Sequence, residues 1–169
     1  MSTGSPSLNV RKWVKVLHII SAGVWIGGTA SLTALICRYH PDSPESFRAH
    51  YSLLRIIDLY IIAPGAFGCF ITGGIYSYAY NFGFFRLKWI IAKWLLNISF
   101  ILFGGAVVLP QLDAAIALSE NMATVAAETA AMQVMHISIN IVQWVIIVFL
   151  VFLSVFKPWG KTRPNDKPA

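Results

Sequence analysis

TAAMQVMHISINIVQWVIIVFLVFLSVF, residues 129–156, carries no formal charge from end to end. A spanning helix needs about 20 mainly apolar residues, so this run is long enough to cross a bilayer. Its apolar residues are continuous rather than alternating, which favours a helix over a barrel strand. Three more uncharged runs precede it, between Lys15 and Arg38, from Tyr60 through Phe85, and from Trp94 to Leu112. Together they predict an all-α fold, an integral membrane four-helix transmembrane bundle. The helices are expected at 13–38, 54–80, 88–110 and 131–156, in one domain over 1–157, with a disordered cytoplasmic tail at 158–169.

Composition agrees with that reading. Of 169 residues, 57% are hydrophobic and only 12% charged. Soluble domains carry about a quarter charged residues, so too little polar surface remains here to face water. A soluble enzyme and a disordered chain are both disfavoured. The first run is too long for a signal peptide and lacks a small-x-small cleavage site, so it counts as a helix. Cys37 and Cys69 fall at different depths, which speaks against a disulfide.

The basic residues orient the bundle. The N-terminus holds Arg11, Lys12 and Lys15, the 2–3 connection holds Arg86 and Lys88, and the tail holds Lys157, Lys161, Arg163 and Lys167. The other side has Arg38, Arg48 and Arg55, diluted by Asp42, Glu45 and Asp58, and an acidic 3–4 connection with Asp113, Glu120 and Glu128. The positive-inside rule then places both termini in the cytoplasm. The expected location is the bacterial cytoplasmic (inner) membrane, with the lipid bilayer as the main partner. The net charge of +6 is a topology signal and not a nucleic-acid footprint. Glu45–Leu54 reads as an interfacial turn, residues 81–83 as a tight link, and the 3–4 connection as a short helix outside the bilayer.

Few polar residues remain inside the spans, and such residues usually face the bundle interior. His18 shares a face with Ser21, Ala22, Trp25, Gly28 and Thr29, which leaves room beside the imidazole for something flat and bulky. Gly23, Gly27 and Ser31 form a small-xxx-small series suited to close helix approach. Lys93 and Asn97 lie on one stripe of the third helix. Lys93 sits at the depth of His18, where it either joins a site or snorkels to the headgroups.

The fourth helix has the clearest stripe. His136, Asn140 and Gln143 follow at i, i+4 and i+7, with Met132 and Gln133 one turn before. They either hydrogen-bond across helices or make His136 an axial or metal ligand. Met132 beside His136 would suit Cu(I), with Met135 on another face and Met122 in the adjoining loop. His18 and His136 lie roughly 20 Å apart along the membrane normal, so they belong to two sites. His40 and His50 are expected in the outer loop, and Thr72, Tyr76 and Tyr80 on an interior edge of the second helix. No Ser-His-acid set, carboxylate pair or phosphate loop occurs in a suitable context.

Lys15-Val-Leu-His18 with Trp25 and Gly28, Trp89-Ile-Ile-Ala-Lys93, and Phe156-Lys157-Pro158-Trp159 resemble a group of small bacterial membrane proteins. That group contains the copper-resistance D family, the four-helix membrane protoporphyrinogen oxidases and related uncharacterised integral membrane families. The resemblance to the oxidases implies haem b, with His18 and Lys93 in the positions of their first-helix histidine and later-helix lysine. The Glu-x-Pro entry to the fourth helix associated with the oxidases is missing. The leading expectation is a haem b-binding redox protein, quinone-linked or serving another redox protein. Copper handling at His18, His136 and Met132 is the alternative, and a cofactor-free interaction protein, with or without homo-oligomerisation, is the third.

Overall fold

The computed structural model describes residues 8–79, 87–119 and 126–158. Within them are four long helices, each long and apolar enough to cross a membrane. The first, α1, is Leu8–Arg38. The second, α2, runs through Pro44–Ile57, Asp58–Ile62 and Ala63–Ala79 as one rod. The third, α3, runs through Lys88–Phe103, Gly104–Val108 and Leu109–Leu118. The fourth, α4, is Ala126–Phe156. Tyr80, the link 81–83, Met122 and the tail beyond Pro158 lie outside the described residues.

α2 begins earlier than its hydropathy suggests, and the reason is local. Ser43 caps it: the Ser43 side chain accepts from the Ser46 amide at 3.2 Å, and the Ser46 hydroxyl accepts from the Ser43 amide at 3.0 Å. Pro44 follows in the first turn, where its missing N–H costs nothing. Phe47, Tyr51 and Leu54 then bury one face, and Arg55 on another reaches Asp113 of α3 in an ion pair. What looked like an interfacial turn is the first third of the helix. α3 likewise continues past Pro110 through Leu118, so the segment expected as a separate helix outside the bilayer extends the third rod instead.

Both rods carry one wide turn. The Ala63 amide donates to the Asp58 carbonyl, and the Leu109 amide to the Gly104 carbonyl, five residues back instead of four. In each rod a proline stands two residues past the wide turn, Pro64 and Pro110. Proline has no N–H, and its ring collides with the carbonyl four residues earlier. A π-turn widens the helix at that place and lets the rod continue.

The helices alternate in direction and close a ring in which α1 packs on α2 and α4, and α3 on α2 and α4. The closest approach joins α1 to α2. A Cβ on Gly65 would lie 2.7 Å from the Trp25 amide nitrogen, one on Gly28 would lie 2.8 Å from Ile62, and one on Gly68 would collide with Ser21. Gly23, Gly27 and Ser31 are exposed, and a Cβ on Gly23 or Gly27 would meet nothing within 4 Å. The close contact within the molecule thus uses Gly28, not the Gly23 series. The pattern is inside-out relative to a soluble protein. Val134, Ile141, Val145, Val148, Phe152 and Val155 of α4 are exposed, while Thr29, Asn97, His136, Asn140 and Gln143 are buried.

Candidate functional site

Among the described residues, two cavities stacked along the bundle take in most of the buried polar side chains. The larger, of about 470 Å³, lies in the half that holds the start of α1 and the end of α4. His18, Trp25, Lys93 and Asn97 all line it. The antiparallel register of α1 and α2 brings His18 opposite Thr72, whose Oγ1 lies 2.8 Å from His18 Nδ1. The Thr72 hydroxyl donates to the Gly68 carbonyl, so its oxygen accepts the proton carried by Nδ1. That tautomer leaves the Nε2 lone pair of His18 available.

Lys93 donates to Ser154 Oγ at 2.8 Å and lies 5.7 Å from the Trp89 ring centroid. Lys15 and Lys157 line the same cavity at its terminal end. Trp25 Nε1, Ser77 Oγ and Asn97 Oδ1 are buried and make no hydrogen bond among the described residues, and all three side chains belong to the cavity wall. Buried polar groups are normally paired, so three orphans around one space mark a place built for a guest. Gly73 leaves open the wall beside His18, with its would-be Cβ 3.7 Å from His18 Cε1.

The smaller cavity, of about 50 Å³, lies in the other half, beyond the tilted Trp25–Phe100 pair whose centroids are 4.8 Å apart. His136, Asn140 and Gln143 line it, together with Asp58. The α4 stripe is partly an interhelix ladder. Trp144 Nε1 donates to Thr33 at 2.9 Å, Thr33 donates to Asn140 Oδ1 at 2.8 Å, and Gln143 donates to Thr29 at 3.1 Å. His136 Nε2 and Asn140 Nδ2 are buried without a partner among the described residues. Met132 packs at the edge of the apolar core and does not line this cavity. His18 and His136 therefore belong to different spaces.

Residues 12–158 match the family described as predicted integral membrane protein (DUF2269). The chain belongs to that family. The match takes in all four helices and both cavities. No curated protein and no solved structure matches the chain.

Two residues of this family member escaped the sequence reading. Asp58 counted there only as a charge at the outer end of the second helix, yet it is buried within α2. The signal was its place six residues before Pro64, an arrangement repeated by Gly104 and Pro110. Ser154, which holds Lys93, shares a helix face with Leu150 and Ile147 and gave no separate signal.

Proposed function

We propose that this integral membrane protein is a haem b-binding redox protein of the bacterial cytoplasmic membrane. One observation carries the reading: His18, with Nδ1 held by Thr72 and Nε2 unengaged, lines a 470 Å³ cavity that has lysines at one end. That volume falls in the range of cofactor sites. The resemblance to haem-binding four-helix membrane oxidases points to the same two residues, His18 and Lys93.

The residues present fit the group. His18 Nε2 would hold the iron, and Thr72 would fix the ring and its tautomer, as partners of metal-bound histidines do. A protonated Lys93 keeps donors beyond the one given to Ser154 and has no lone pair for iron, so it suits a propionate carboxylate better. Lys15 and Lys157 would add to that positive end. Trp25, Trp89 and Trp94 wall the cavity and keep water from its depth. The orphaned Trp25 Nε1, Ser77 Oγ and Asn97 Oδ1 would gain partners. Haem b supplies one-electron chemistry when bound. Its electrons would pass to a lipid-soluble quinone or to another redox protein.

The test is a reduced-minus-oxidised visible spectrum of the protein purified in mild detergent after haem supplementation. A Soret band is expected, and His18→Ala should abolish it. Absence of the band in the wild-type protein, or its full retention in His18→Ala, overturns the reading.

A further inference from the structure

The smaller cavity holds the features of a proton site. Asp58 is 8% exposed and sits inside the second spanning helix. An acid at such a depth is costly unless it serves a function. It shares its space with two side chains that are each more than nine-tenths buried and each keep an unpaired atom, His136 Nε2 and Asn140 Nδ2. The volume of about 50 Å³ admits a few water molecules and no aromatic guest.

The two wide turns meet here as well. Asp58 opens one, and Gly104 and Val108 bound the other, all three in the cavity wall. In a membrane, buried polar side chains are satisfied by neighbouring groups or by ordered water. Acid, imidazole and amide thus call for the same small guest.

His136 also lines a void of about 10 Å³, with Tyr39, His50, Tyr51 and Gln133, near the chain turn at Pro41. The His136 and Tyr51 rings are 5.3 Å apart, and His50 Nδ1 is a further unpaired buried atom. The other charged groups near Asp58 are Arg55 on α2 and Asp113 on α3, which neutralise each other in an ion pair. α1 brings only uncharged Leu32 and Ile36 to this cavity, and α4 brings His136 and amides.

We propose that the smaller cavity is a hydrated proton-binding site in which Asp58 exchanges its proton, through water and His136, with the membrane face that carries the 38–44 turn. The step moves a proton only. It leaves the Asp58 carboxyl for a bridging water, that water gives one to His136 Nε2, and no electron is transferred. Occupied by water and protons, the site needs no metal and does not depend on what fills the larger cavity.

The experiment is an infrared difference spectrum between two pH values, on the full chain without added haem. A carboxylic C=O band is expected, which Asp58→Asn removes and D2O shifts. His136→Phe should slow the D2O shift by about tenfold or more, with an unchanged helical circular dichroism spectrum. If that variant does not fold, His50→Phe interrupts the same route one step further out and is scored alike. A band that persists in Asp58→Asn, the absence of any titrating band, or an unslowed shift in the folded relay variant overturns the proposal.

Discussion

Thr72 decides which nitrogen His18 presents to the larger cavity. Its hydroxyl proton goes to the Gly68 carbonyl, so its oxygen can only accept from His18 Nδ1. Thr72→Val keeps the shape and removes the acceptor. Such partners are worth about 10–100-fold in metal affinity, so if the larger cavity holds haem as proposed, haem should pass from the variant to a globin scavenger that much faster, and Thr72→Ser should restore retention. A second residue-scale expectation concerns packing. A Cβ on Gly65 meets the Trp25 backbone at 2.7 Å, which cannot move without moving α1. Gly65→Ala should therefore lose about 1–3 kcal/mol, the range for overpacking. Gly27→Ala, with nothing within 4 Å of its would-be Cβ, should stay within about 0.5 kcal/mol. Thermal melts of the two variants in detergent separate them.

At the scale of the helix, the two Pro-coupled wide turns are what hydropathy could not reveal. Uncharged runs show that a segment can lie in lipid, and on that basis the cores of all four spans were legible. They do not show where a helix begins when its first turns are amphipathic, as in Phe47–Leu54, nor that a rod passes through a proline. Pro110 therefore seemed to end the third helix, and Asp58 seemed to lie in the first turns of the second. The α4 stripe of His136, Asn140 and Gln143 was legible because polar residues at i, i+4 and i+7 stand out in an apolar run. Thr33, which accepts from Trp144 and donates to Asn140, was not, since threonines suit lipid-facing positions as well. Pro110→Ala tests the explanation of the wide turn. It supplies an N–H that can bond four residues back, so amides after Gly104 should exchange more slowly. Faster exchange would mean the turn has another cause.

At the scale of the molecule, polarity runs along the bundle as well as across it. All but three of the 13 Lys and Arg residues lie at the termini, in the 2–3 connection or at the first turns of α3, and the three exceptions are Arg38, Arg48 and Arg55. The alternating helices put the start of α1 and the end of α4 on one face, where Lys15, Lys93 and Lys157 line the larger cavity. Asp58 and His136 lie in the opposite half, where Asp42, Glu45 and Asp113 dilute the arginines. By the charge bias that orients membrane proteins, the terminal face is expected to be the cytoplasmic one. That would put the lysine-lined cavity on the cytoplasmic side and open the proton route to the other. A fluorescent reporter fused after Ala169 should fold and shine, whereas a phosphatase that needs an oxidising compartment should stay inactive there and become active when inserted between Tyr39 and Pro41. Replacing Arg11, Lys12 and Lys15 by glutamine removes part of the bias, so a fraction of molecules should show the inverse pattern. An active phosphatase at the end of the unaltered chain would invert the assignment and turn the proton route toward the cytoplasm.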